Sequence, residues 1–259
     1  MAVKDSTRVI AITGAGDGLG RALSRRLAAD GDTIVLLGRT FAKVKAVADE
    51  LNAADLASEH SDRHLAVECD VAKPASVCAA FAEIAKIHPK LDVLINNAAV
   101  YEPFTLAEVS DDQIITQLMI NFAGPIFCSR EALPLLKGGG HIVNITSESS
   151  HLKMPMLWMY AGTKAGLEYV SDNWVRELEP DGVRVTVVRA GNMRDETKVG
   201  SGWSQDVSMR FAKANADVGL HMRERPISHY NSAADAIRAV LNGPADIHYG
   251  LVTLSGARP

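Results

Sequence analysis

Cysteine is scarce in this 259-residue chain: there are three, Cys69, Cys78 and Cys128. Their spacing fits neither a disulfide framework nor a metal site, so they are read as reduced, small hydrophobes of a cytoplasmic protein. An excess of one charge is also missing. The net charge is -4, with 22% charged residues. That balance gives no electrostatic case for nucleic acid or for an anionic membrane surface. The longest apolar runs are only strand-length, which leaves no membrane-spanning helix. The opening Met1-Ala2-Val3-Lys4-Asp5-Ser6 lacks the apolar core of a secretion signal. Repeats, low-complexity tracts and domain linkers are absent. His60 and His64 could share a helix face, but no further ligand stands near them, so no metal site is expected.

What is present is an alternation. Strand-like runs read at 9–13, 33–37, 64–68, 93–96, 141–146, 183–189 and 251–254. Helical runs read at 19–29, 41–54, 75–87, 111–136, 157–179 and 232–241. Such β-α-β-α order predicts a Rossmann-type, doubly wound parallel sheet of about seven strands, with helices on both faces. A length of 259 residues suits one α/β domain, 1–259. Pro125 and Pro134 should kink or break the long fourth helix.

The first strand runs straight into Gly14-Ala15-Gly16-Asp17-Gly18-Leu19-Gly20 and then into a helical pattern. A glycine-rich turn of this kind aims backbone N–H groups and a helix N-terminus at a pyrophosphate. Tyr160 and Lys164 are spaced i and i+4, on one face of a helix. A cation beside a phenol favours the phenolate, so the Tyr160 pKa is expected to fall from about 10 towards working pH. A phenol tuned in this way can exchange a proton with an alcohol or carbonyl oxygen.

In order along the chain stand Thr13-Gly14-x-x-x-Gly18-x-Gly20, Asp70, Asn96-Asn97-Ala98, Asn121, and Ser147 thirteen residues before Tyr160-x-x-x-Lys164. Over essentially its whole length the sequence resembles the short-chain dehydrogenase/reductase family. The resemblance implies an NAD(P)-dependent oxidoreductase that interconverts a secondary alcohol and a ketone. It implies Tyr160 as general acid/base, Lys164 as its electrostatic partner and ribose ligand, and Ser147 as the group that polarises the substrate oxygen. Asn121 would keep a water linking Lys164 to solvent. Cofactor contacts are expected from Gly14, Gly16, Asp17, Gly18, Leu19, Gly20, Arg39, Thr40, Asp70, Val71, Asn97, Ala98, Tyr160, Lys164, Gly191 and Met193. Asp70 would receive the adenine amino group, although it could instead cap the following helix. The family is mostly homodimeric or homotetrameric.

Three places depart from the family pattern. Ala99 replaces a glycine, Ala190 replaces a proline, and Asp195 stands where a threonine usually holds the nicotinamide amide. Thr197 could substitute for that threonine. Glu148, beside Ser147, is expected to point to solvent. The end of the second strand, Leu37-Gly38-Arg39-Thr40, has no acid for a ribose 2′-hydroxyl. Arg39 can instead pair with a 2′-phosphate. Asp17 opposes that choice, but a charge-assisted contact outweighs a screened repulsion, so NADP is favoured and NAD remains possible.

Residues 191–226 read as a substrate-binding lid that follows a strand. Met154, Met156, Trp158, Met193 and Trp203 are the candidate lining residues, with Met209 a further contact, for an apolar, moderately bulky alcohol or carbonyl substrate. A different class of function on the same fold is a catalytically silent nucleotide sensor or scaffold. The presence of Ser, Tyr and Lys together argues against it. Sugar-nucleotide epimerisation needs a longer C-terminal part than this chain has.

Overall fold

The computed structural model describes residues 7–55, 63–195, 202–244 and 246–257. Strands β1 (Val9–Thr13), β2 (Thr33–Gly38), β3 (Leu65–Glu68), β4 (Val93–Asn96), β5 (His141–Ser147), β6 (Arg184–Ala190) and β9 (Leu251–Leu254) form one sheet. Its order is β3-β2-β1-β4-β5-β6-β9, and every pairing is parallel. The order reverses between β1 and β4, and the crevice there opens at the strands' carboxyl ends.

The strands are apolar on both faces because both faces are covered. Ile10, Ile12, Ile34 and Leu36 join Leu23 and Leu27 of helix α1 (Gly18–Ala29), Val44 and Leu51 of α2 (Phe41–Asp55), and Ile237 of α9 (Tyr230–Leu241) in one core layer. Ala11, Val35 and Leu37, one residue out of phase, join the opposite layer. There they meet Phe81 and Ile84 of α3 (Pro74–Ile87) and Cys128 and Leu136 of α5 (Gly124–Leu136). Cys69 and Cys128 are buried as expected, whereas Cys78 lies on the exposed side of α3.

The expected fourth helix is two helices. Helix α4 (Asp111–Leu118) passes into a π-helical turn, Met119–Ala123, before α5 begins. Pro125 has no N–H to return to the Asn121 carbonyl four residues back, and the ladder widens to the Gly124 N–H to Met119 C=O bond. Pro134, by contrast, sits inside α5 without ending it.

Four further elements went unread in the sequence. They are α6 (Ser149–Leu152), α8 (Gln205–Ala216), and a pair of two-residue strands, β7 (Met193–Arg194) and β8 (Ser228–His229). Helix α7 (Trp158–Glu177) carries Tyr160 and Lys164. Helix α8 is held over the carboxyl end of the sheet. Phe211 packs with Met154, Met156 and Leu157, and Asn215 Nδ2 donates to the Pro155 carbonyl at 3.2 Å.

Candidate active site

The glycine turn is built for close approach. Gly14 has φ of +67°, and a Cβ on Gly20 would lie 2.3 Å from the Gly14 carbonyl oxygen. Thr13 fixes the turn to β4: its Oγ1 accepts from the N–H groups of Asn97 and Ala98, both at 3.0 Å. Asn97 Nδ2 returns a bond to the Thr13 carbonyl at 2.9 Å. Asn96 ties β4 to β5 through Asn144 at 2.8 Å. The asparagine pair at this strand end therefore does lock neighbouring strands together.

A groove of about 530 Å³ runs from this turn across the switch point. Gly14, Gly16, Asp17, Gly18, Leu19, Arg39, Thr40, Asp70, Val71, Asn97 and Ala98 line it, with Ser147, Tyr160, Lys164, Gly191 and Met193 at its far end. Gly20 lies beneath as packing. Asp17 turns its carboxylate onto the Gly18 N–H at 2.7 Å and caps α1. Asp70 does not cap α3, whose N-cap is Lys73; its carboxylate accepts from the Ala72 N–H at 3.2 Å. Lys43 also lines the groove and was missed. It lies four residues after Arg39, a spacing that could have flagged it once α2 was seen to start at Phe41.

At the far end, Lys164 is 2% exposed and donates to the Ile145 carbonyl at 2.8 Å. Its ammonium lies 5.9 Å from the Tyr160 ring centroid. Burial lowers the Lys164 pKa to about 8, with Glu168 opposing. Tyr160 behaves opposite to expectation. Burial pushes its pKa up to about 12, a hydrogen bond with Ser147 pulls it down, and the nearby Tyr101 phenol pushes it up again. Desolvation wins because the cation's bond is spent on a carbonyl rather than on the phenol. Ser147 Oγ accepts from the Ser149 N–H at 3.2 Å and from Ser149 Oγ at 3.0 Å. Ser147 thus stands between Ser149 and the Tyr160 phenol at the mouth of the cleft. Asn121, fully buried in the π-helical turn, brackets Val100: Oδ1 accepts from its N–H at 2.9 Å and Nδ2 donates to its C=O at 2.7 Å.

Beyond Tyr160 opens a second cavity of about 500 Å³. Tyr101, Ser147, Tyr160, Gly191, Met193 and Tyr230 line both spaces, so the two are continuous. Trp203 stacks edge-on against Tyr101 at 5.4 Å and against Phe211 at 5.3 Å, forming an aromatic wall. Of the expected lining residues, Met154, Met193 and Trp203 face the cavity. Met156 is buried in the small core beneath α8. Trp158 stacks on Phe104 at 5.7 Å instead, and Met209 points outward, 58% exposed.

Glu148 does not point to solvent. It pairs with Arg225 at 2.6 Å inside the second cavity. Asp195 lies 3.6 Å from Arg21 on the first turn of α1, so the residue in place of the usual threonine finds a cation. Thr197 and His60 lie outside the described residues. His64 is no ligand: its Nδ1 accepts from the Ile34 N–H at 3.1 Å and its Nε2 meets Asp55 at 2.9 Å. Among the described residues no cluster could hold a metal ion, and no helix is long and apolar enough to cross a membrane.

Residues 8–208 match the short chain dehydrogenase family. The chain belongs to that family and is an oxidoreductase of it. D-xylose 1-dehydrogenase of Caulobacter vibrioides is 32% identical over 187 residues, 71% of each chain. An alcohol dehydrogenase from the archaeon Thermococcus sibiricus, complexed with 5-hydroxy-NADP, superposes with a TM-score of 0.80 at 25% identity, covering 98% of this chain and 99% of that one. A short chain dehydrogenase from Burkholderia cenocepacia in complex with NADP superposes with a TM-score of 0.79 at 26% identity, covering 97% of each.

Proposed function

We propose that this oxidoreductase interconverts a secondary alcohol and a ketone with NADP(H), using Tyr160 as general acid/base. The observation that carries the reading is the continuity of the two cavities at Ser147 and Tyr160. A carbonyl carbon placed at that junction lies between a nucleotide groove and a proton donor.

The groove's residues fit a nicotinamide dinucleotide. Only a backbone without side chains could sit as close as Gly14 and Gly20 do, and such a turn presents N–H groups to a pyrophosphate. Asp70 and Val71 would hold the adenine, and Asn97, Ala98 and Lys164 the riboses. Arg39, Thr40 and Lys43 would take the 2′-phosphate, two cations against the single, capped Asp17. The bound cofactor supplies or accepts the hydride.

This chain's own part is proton traffic and position. A phenol with a pKa near 12 keeps its proton at neutral pH. Tyr160 would give that proton to a carbonyl oxygen in reduction and take one from a hydroxyl in oxidation. Ser147 directs its proton at the same oxygen and stabilises charge there. Residues 191–226 would act as the substrate lid. Trp203 closes it through its N–H bond to the Tyr101 carbonyl at 3.2 Å, and Arg210 closes it through an exposed ion pair with Glu108. The protein would work as a homodimer or homotetramer, since Ile115 on α4 and Tyr169 on α7 are exposed. NADPH oxidation in the presence of a broad ketone panel tests the activity. Failure to turn over any ketone, with NADPH demonstrably bound, would overturn it.

A further inference from the structure

Resting on that reading, the second cavity says something about what enters it. Its walls are mostly apolar or aromatic: Tyr101, Met154, Leu157, Trp203, Phe211 and Met222. Three charged side chains line it, Glu148, Arg194 and Arg225. Glu148 and Arg225 cancel each other at 2.6 Å, each about four-fifths buried. Their bridge also ties the chain just before β8 to the turn that carries Ser147. Arg194 is different. It follows Met193, which lines the junction with the nucleotide groove, and among the described residues no carboxylate lies within ion-pair distance of it. Among the described residues the cavity therefore carries one positive charge in excess.

We propose that the substrate is an anionic ketone or secondary alcohol. Its apolar body lies on the Tyr101–Trp203–Phe211 wall, and its anionic group is read by Arg194, with the Glu148–Arg225 bridge fixing the opposite wall. A guanidinium fork offers two parallel N–H groups to a carboxylate or a phosphate, and Arg194, exposed beside the half-buried Met193, presents them at the mouth of the cavity, where an anion can reach them. A neutral substrate gains nothing from Arg194, whose charge then stays with water. Anionic chemistry is shared by carboxylates and phosphate esters, and the arms of the experiment separate them.

The test compares ketones of one carbon skeleton bearing a carboxylate, a phosphate ester or a carboxamide, at saturating NADPH with the full-length protein. One charged form should exceed the carboxamide in kcat/KM by about tenfold or more, mostly through KM. Arg194→Gln should collapse that ratio, and Arg194→Lys should keep part of it. A carboxamide ketone that performs as well as both anions would overturn the inference while leaving the alcohol–ketone reading intact. Should no ketone turn over, thermal shift of the NADPH-loaded protein with phenylacetate against phenylacetamide decides the matter without catalysis. Stabilisation by phenylacetate alone, lost in Arg194→Gln, supports the anion site, and equal shifts from both probes reject it.

Discussion

Ser150 Oγ lies 2.8 Å from the Ser147 carbonyl oxygen and 2.9 Å from Glu168 Oε1, so one hydroxyl links the Ser147 turn to helix α7. The Glu168 carboxylate also accepts from Thr146 Oγ1 at 2.8 Å and from Arg189 at 2.6 Å. Burial works to raise its pKa, yet Arg189, Thr146 and Ser150 hold it below the usual carboxylate range. Glu168 stands one helical turn beyond Lys164. A single carboxylate thus sets the spacing between strands β5 and β6, the Ser147 turn and the helix that carries Tyr160.

Glu168→Gln keeps the shape but weakens the bonds to Arg189. The expected result is a fall in kcat of about tenfold, with the KM for NADPH nearly unchanged. Steady-state kinetics check this. Equal losses in kcat and in NADPH affinity would mean a general loosening rather than a misplaced Ser147.

Tyr160→Phe should retain fold and NADPH binding and lose turnover by about 10²–10⁴-fold, the usual worth of a positioned acid/base. Cofactor titration beside turnover assays measures both halves. A variant within threefold of the parent on an accepted ketone would sink the mechanism.

NADPH should bind more tightly than NADH. Arg39→Ala and Lys43→Ala should each narrow the gap, by about 5–10-fold for one charge-assisted contact at a solvent-exposed rim. Fluorescence titration at two salt concentrations reads the effect, which should shrink at the higher one. A parent protein that prefers NADH would show that the missing acid after β2 had been misread.

His141 is buried against Thr186 at 2.8 Å. Burial first, then the charges of Arg184, His248 and Arg8, lower its pKa to about 3. Above its ordinary pKa of 6.5 the imidazole is neutral in both folded and unfolded chains, and stability is fully present. As pH falls from 6.5 towards 3, the unfolded chain binds a proton that the folded one refuses. Stability should therefore drop, by up to roughly 5 kcal/mol at the acid end. Urea unfolding of the parent and of His141→Asn, followed from pH 7 to pH 4, should give a steeper acid loss for the parent. Parallel slopes would contradict the assignment.

Much of this was legible in the sequence because local patterns set it. Seven strands announced themselves as apolar runs, and the glycine turn by its position between β1 and α1. Tyr160 and Lys164 stood out by their i, i+4 spacing and Ser147 by its place in the family pattern; the structure brings Ser147 and Tyr160 to the junction and Lys164 to the groove beside it. What spacing could not give was the balance of opposing effects. The Tyr160 pKa depends on where the Lys164 ammonium points, and it points at Ile145. Glu148 and Arg225 are 77 positions apart in the chain, so no local pattern joins them. The π-helical turn at Asn121 was half readable: Pro125 signalled a break but not how the ladder would absorb it.

Strands β6 and β9 are neighbours in the sheet, and between them the chain makes one long excursion, narrowed at its base by the Met193–Ser228 and Arg194–His229 pairings. A detour that departs and returns through so tight a neck adds no strand to the central sheet. Its length and composition can change without altering the register of a single core strand. The part of the proposed substrate wall that it supplies, Trp203, Phe211 and Met222, is thereby an exchangeable cassette. Grafting a relative's residues between Asp195 and Ile227 would carry over that relative's taste in substrates, while the nucleotide groove and the Tyr160 proton stay where they are.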